Sequence, residues 1–375
     1  MKILTKNVII GIVIVVLFSI GGYFLYSKIH KNVGVPQNEN IINKVDTEQP
    51  KESTTKTEEP VALTPKKEAS IPPPEPPLPE GTDRFTVTLT NTNDEISNNL
   101  LQAGFIIDKE NFSDILNKEK TAISPGAYKL SKEMTTVQID KVLHGKPYMK
   151  WVMIKPGLRK EEIATILTTT LGWTSKQKSN WISVETASSP EYIEGVYYPD
   201  TYLIPTDESP ALVAKRLIAK FNEKFYSYLP QFTAKNIKWT RALTLASIVQ
   251  REAANDSDMP LIAGILWNRL NQNMALGVDA TLQYMRGDKG KGWWAPIAVS
   301  DKQIDSPFNT YKYKGLPPHP ISNPGIQAIE AVLNPTETDC LYYLHDKSRI
   351  THCAATYDEH LLNIQKYLVA STTSN

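Results

Sequence analysis

The chain has 375 residues, with 41 Lys and Arg against 40 Asp and Glu, a net charge of +1. This length has room for about two or three domains, and the balanced charge offers no general electrostatic case for a nucleic-acid partner. The 6 His are scattered and no CxxC or HExxH spacing occurs, so neither a metal centre nor another cofactor is expected.

Val8–Tyr26 is an uncharged run of 19 residues rich in Ile and Val. That is long enough to span a bilayer as a helix, and the Tyr-Phe-Leu-Tyr-Ser-Lys that closes it is a poor signal-peptide cleavage site. Residues 1–31 are therefore expected to form a short tip and an uncleaved membrane anchor. Residues 32–80 are dominated by Lys, Glu, Thr, Asn and Pro and end in Pro72-Pro-Pro-Glu-Pro-Pro-Leu-Pro79. Such a segment buries too little apolar surface to fold, and its proline run predicts an extended spacer.

Residues 81–172 read as a small α+β module. Strand-like Phe85–Leu89 precedes a helix at Asp94–Ala103 that closes on Gly104. Ile123–Leu130 supplies a turn and a strand before a helix at Thr136–Leu143. Lys150–Ile154 leads into a helix at Lys160–Leu171 that closes on Gly172. In the remainder, 173–375, Tyr192–Pro205 reads as an irregular loop with one short strand, and Ser209–Leu229 as an amphipathic core helix. Further helices are predicted at Thr240–Ala254, Leu261–Leu270, the second half of Leu276–Tyr284, Gly325–Val332 and Tyr357–Tyr367.

Cys340 and Cys353 flank a predicted hairpin, Leu341–His345 and Ile350–Ala354, around Asp346-Lys-Ser-Arg349. A four-residue turn sets Cys353 opposite Tyr342 and leaves Cys340 diagonal to it. A bridge needs a register that the sequence does not fix, so two free, packed thiols are expected.

The helix at Thr240–Ala254 is the stretch around which the chain is organised. At 100° per residue, Leu245, Ile248 and Val249 fall within about 60° of Glu252, while Ser247 and Gln250 point the other way. Glu252 thus lies on the apolar face of its own helix. Burial without a cation raises a carboxyl pKa, which suits a general acid. A buried ion pair accounts for the same pattern, with Arg241 on nearly the same face or Arg269 from the next helix. Helix geometry alone favours the ion pair.

Ala246-Ser-Ile-Val-Gln-Arg-Glu252 is followed by Asn268-Arg-Leu270, Asp279-Ala-Thr-Leu-Gln-Tyr284, Asn309-Thr-Tyr311, Gly315-Leu-Pro-Pro318 and Pro320-Ile-Ser-Asn-Pro-Gly325. Together with Glu194-Gly-Val-Tyr-Tyr-Pro-Asp-Thr-Tyr202, this ordered set resembles the YceG-like, MltG-type endolytic murein transglycosylases from about Phe85 to the C-terminus. The resemblance implies an α+β protein with a single N-terminal transmembrane helix, a LysM-like small domain and a mixed, lysozyme-like catalytic domain. It implies a cytoplasmic N-terminus and a body outside the bacterial cell membrane. It also implies cleavage of the MurNAc-β-1,4-GlcNAc bond of peptidoglycan strands with a 1,6-anhydro end, beside the cell-wall synthesis machinery.

The family's catalytic Glu carries over to Glu252. Many members have a second Glu two positions earlier, where this chain has Gln250. His319 stands where Gly is usual, and Gly277-Val278 where Gln-Ser or Gln-Thr is common before the Asp. Asn309, Tyr311, Asp279 and Gln283 are the candidate substrate-binding residues, although each could instead cap a loop or helix. The rival readings are a hydrolytic muramidase pairing Glu252 with Asp279 or Asp256, and a non-catalytic peptidoglycan-binding scaffold.

Overall fold

The computed structural model describes residues 71–118 and 121–369. The expected anchor, Val8–Tyr26, and most of the spacer lie outside the described residues. Among the described residues, no helix is long and apolar enough to cross a membrane.

The elements in chain order are β1 (Asp83–Val87), α1 (Asn93–Gln102), α2 (Lys109–Lys118), β2 (Gly126–Leu130), α3 (Thr136–Leu143), β3 (Met149–Met153), α4 (Lys160–Leu171), α5 (Ser175–Asn180), β4 (Thr201–Pro205), α6 (Pro210–Phe225), α7 (Leu229–Ala234), α8 (Trp239–Glu252), α9 (Met259–Asn271), α10 (Asp279–Arg286), α11 (Ile326–Leu333), β5 (Tyr342–His345), β6 (Thr351–Ala354) and α12 (Tyr357–Ile364). The fold is α+β. Several helices start where a hydroxyl takes up an otherwise unpaired backbone N–H. Thr92 with Glu95, Thr135 with Gln138, Thr174 with Gln177 and Thr356 with Glu359 are reciprocal capping boxes.

One antiparallel sheet runs in the order β1-β2-β3-β4, and a hairpin, β5-β6, forms the other. β3 and β4 pair over five residues, Met149↔Pro205 to Met153↔Thr201, whereas β2 meets β3 at the single pair Ala127↔Met149. Two apolar cores flank this narrow junction. The smaller gathers Phe85, Ile96, Leu100, Phe112, Tyr128, Ile139 and Leu143. The larger begins on β3 with Val152 and takes in Ile163 and Leu167 of α4 before continuing through the helices. The division expected at residue 172 therefore has no counterpart in the packing. The small core ends with α3, because β3 and α4 bury their apolar faces with β4 and the helices that follow.

Helix α8 is central and is packed against α7, α9, α10 and α11. Every residue from Ala242 to Val249 is buried. Its N-cap, Lys238, makes no side-chain capping bond, so the helix owes its stability to burial on all sides rather than to capping. The face that carries Ser247 and Gln250 is not solvated. It is covered by the chain at Ile321–Gly325. Ile321 N donates to Ser247 Oγ (3.0 Å), Ser322 Oγ to Ser247 O (3.1 Å) and Gly325 N to Gln250 Oε1 (2.9 Å).

The cysteines differ from expectation. Cys340 and Cys353 form a disulfide, with Cα atoms 5.8 Å apart. The connection between β5 and β6 is Asp346–Ile350, one residue longer than the predicted turn, and Cys353 sits opposite Tyr343 rather than Tyr342. Cys340 lies before the first ladder pair, so its bond to Cys353 is set by the path of the chain entering β5 and not by the strand register. Thiol titration of the unreduced, denatured protein should find no free thiol. Replacing both cysteines by Ser should cost about 3 kcal/mol in a denaturant melt, the value for a bridge closing a loop of this size.

Candidate active site

Glu252 is the last residue of α8, and the chain turns extended at Ala253. Its carboxyl meets the start of α10 and strand β5. Tyr343 Oη donates to Glu252 Oε2 at 2.7 Å, and the backbone N–H of Ala280, in the first turn of α10, also donates to the carboxyl. The residue keeps partial access to solvent, yet protein packs densely around the carboxyl. Burial is the largest influence and raises the pKa; the bonds from Tyr343 and Ala280 pull it down, and the Asp279 charge adds to the rise. The net result is a carboxyl held above its ordinary range. The two helix ends act in opposite senses. The C-terminus of α8 disfavours a negative charge, while the N-terminus of α10 favours one.

The expected cationic partners do other work. Arg241 lies over the Trp267 ring, 5.6 Å from its centre. Arg269 donates through Nε to Leu341 O (2.6 Å) and through Nη1 to Leu276 O, fastening the start of the hairpin to the loop before α10. Neither forms an ion pair with Glu252, which removes the structural explanation that helix geometry alone favours.

The candidate substrate residues divide in two. Tyr311 is drawn beside the acid, since its hydroxyl donates to Asp279 Oδ1 at the exposed start of α10 and it feels the Glu252 charge. Burial first, then Asp279, pushes the Tyr311 phenol well above its ordinary value, so it stays a proton donor. Asn309 is fully buried and faces its own loop. Its amide donates to Lys302 O and Ile304 O, and its Oδ1 accepts from Tyr311 N and Lys312 N. Every polar position of that side chain is taken, which leaves none for a sugar. Asn309 shapes the loop that delivers Tyr311. Gln283 donates to Trp294 O and Ala295 O and so pins the loop after α10.

Thr310 stitches this loop to α10, its Oγ1 accepting from Val278 N while its carbonyl accepts from Gly277 N. Gly277 takes a φ of 58°, a left-handed conformation that favours glycine. Asp256 is exposed in the turn after α8. Half-buried His319 is tied to Pro320 O through Nδ1 and packs edge-on against Tyr284 and Phe308.

Two groups near Glu252 escape sequence reasoning. Tyr343 lies 91 residues away in the chain and outside every motif named above. Asp258 accepts from Ala254 N, Asn255 N and Thr351 Oγ1 and pairs with His345 Nε2 at 3.1 Å, so it ties the turn after Glu252 to the same hairpin. Only the succession of a hairpin after the motifs hinted at either.

Glu194 is a second buried carboxyl with a different duty. It accepts the N–H of Lys160 at the start of α4 on both oxygens (3.1 and 3.2 Å) and the amide of Asn323 (2.6 Å). Asn323 in turn accepts from Tyr197 N and donates to Leu158 O. Gly195 follows with φ 91°, and a Cβ there would lie 2.7 Å from Pro320. The Glu194 and Pro320–Gly325 motifs thus lock into each other and together back α8.

The profile of the YceG-like family matches residues 85–366, and this chain belongs to that family. An endolytic murein transglycosylase of Streptococcus pneumoniae is 28% identical over 309 residues, covering 73% of this chain and 56% of that protein. The Bacillus subtilis protein of the same name is 34% identical over 177 residues, covering 47% and 48% respectively. The chain thus spans about half the length of these relatives. A crystal structure of a yceG-like protein from Listeria monocytogenes aligns with a TM-score of 0.54 at 27% identity, covering 76% of this chain and 99% of that one.

Burial, with the Glu161 charge adding to it, pushes Glu194 up to about 8. A carboxyl with a raised folded pKa binds more protons in the folded than in the unfolded state between its unfolded value of 4.5 and 8, so this group's contribution to stability falls as pH rises across that window. The melting temperature of the wild type should decline from pH 5 to pH 8. Glu194→Gln, which cannot ionise, should flatten part of that slope; an unchanged slope would show that Glu194 is not responsible.

Proposed function

We propose that this protein is a membrane-anchored endolytic peptidoglycan transglycosylase with Glu252 as its catalytic acid and base. The observation that carries the proposal is a buried carboxyl held by a phenol and a backbone amide, with the neighbouring arginines engaged elsewhere. Family membership and the names of the relatives support the substrate class.

In the first step, protonated Glu252 donates to the glycosidic oxygen between N-acetylmuramic acid and N-acetylglucosamine, and the C1–O bond breaks. The resulting carboxylate then takes the proton of the muramyl C6 hydroxyl while O6 bonds to C1. This closes the 1,6-anhydro ring and returns the proton to Glu252. No water is consumed, and one carboxyl serves both steps, whereas ordinary glycosidases generally need two. Exposed Asp279 and half-buried Tyr311, bonded to each other at the mouth of the site, are the groups offered to the sugar.

Val8–Tyr26 serves as a single-pass anchor with its N-terminus in the cytoplasm. The proline-rich spacer lets the body reach the wall outside the membrane. The layer from β1 to α3 acts as the LysM-like part, and nascent strands beside the synthesis machinery are the substrate. The uncharged run, the spacer composition and the strand–helix alternation support these assignments.

Purified glycan strands digested by the wild type should give fragments with 1,6-anhydromuramic ends by mass spectrometry. Glu252→Gln should lower turnover by at least about 10³-fold with the fold intact, since it removes both the acid and the base. Reducing muramic ends would instead establish a hydrolytic muramidase drawing on Asp279 or Asp256. Wild-type turnover by the Gln variant would leave only a non-catalytic wall-binding role.

A further inference from the structure

Tyr343 is the one side chain that hydrogen-bonds Glu252 among the described residues, and nothing in the motifs accounts for it. Its strand is held at three places. The Cys340–Cys353 bridge closes the hairpin, and Cys353 is the cross-strand neighbour of Tyr343. Arg269 grips Leu341 O, with its guanidinium 5.9 Å from the Tyr343 ring centre. At the other end, His345 and Thr351 both reach Asp258, just beyond the end of α8. The hairpin is thus fastened on either side of Tyr343, and the tyrosine hydroxyl ends on a carboxyl oxygen.

Resting on the assignment of Glu252 as acid and base, we propose that Tyr343 is the positioning residue of this enzyme and that the disulfide-closed hairpin holds it in place. Tyr343 donates to Oε2, which leaves Oε1 to carry the proton that is given to the glycosidic oxygen and later recovered from the C6 hydroxyl. The same bond steadies the carboxylate between the two steps. Burial keeps the Tyr343 phenol well above its ordinary pKa, so it remains a donor throughout. The other groups facing Glu252 are Arg251 on its own helix, Asp279 and the Ala280 N–H of α10, His345 of β5, and Tyr311 from the 306–313 loop. Of these, the Ala280 N–H also donates to the carboxyl, and Tyr343 is the side chain that does so.

The test is the pH profile of glycan-strand cleavage by full-length wild type, Tyr343→Phe and Glu252→Gln. Activity requires protonated Glu252, so it declines as pH rises through the Glu252 pKa. Removing the Tyr343 hydroxyl takes away a bond that favours the ionised form. The alkaline limb of Tyr343→Phe should therefore move up by about one pH unit. Its kcat should fall on the order of 10- to 100-fold with little change in KM, as expected when a catalytic group is misplaced. Reducing the disulfide in the wild type should move the limb in the same direction, a readout that does not depend on the Phe variant folding. An inactive Glu252→Gln beside a wild-type profile in Tyr343→Phe overturns this proposal alone. A limb unmoved by reduction overturns the role of the hairpin. An active Glu252→Gln overturns the assignment of the acid, and the positioning role with it.

Discussion

A carboxyl placed at the C-terminus of one helix and the N-terminus of another is held between opposing demands. The end of α8 and the surrounding protein penalise its charge, while the Ala280 N–H and the Tyr343 hydroxyl stabilise it. Chemistry that requires one group to lose and regain a proton within a catalytic cycle needs that balance, because a carboxyl strongly committed to either state performs only half the task. Much of the larger core serves to keep these two helix ends and one strand in register. α8 is buried on every side, Thr310 stitches the following loop to α10, and Arg269 spans from that region to the hairpin.

The signature residues that carry the family resemblance are mostly structural in their immediate contacts. Glu194 caps α4, Asn323 joins three backbone segments, Ser247 and Gln250 bind the loop that covers their face, and Asn309 organises its own turn. A site open to solvent cannot be enclosed by its own core, so its rigidity has to come from behind it. Buried polar networks with nearly every valence filled provide such rigidity.

This explains what could be read from the sequence. Helix α4 was legible to the residue because its apolar spacing ends at Gly172, which adopts a left-handed conformation. α2 was not, since Lys109–Lys118 is largely polar and buries only Phe112 and Leu116. Glu252 could be singled out from its place on an apolar helical face, but deciding between an acid and an ion pair required knowing where Arg241 and Arg269 point. For Asn309, the residue type suits sugar binding and loop capping equally, and only the direction of its amide separates them. Tyr343 and the disulfide were hidden for different reasons: one extra residue in the connection changes the cross-strand partner of every residue in the hairpin, while Cys340 lies before the first ladder pair, where the register does not fix its reach.

The pairing of β3 with β4 bears on how this architecture can be inherited. β4 comes from residues 201–205, well beyond the helices that complete the small layer, yet it forms the longer ladder on β3. A chain cut after α4 would leave β3 with an unpaired edge open to another strand. The small layer is therefore not a bead that recombination can detach at one point. A functional exchange has to carry the fourth strand with it, and so tends to keep the small layer and helix α8 together as one hereditary unit.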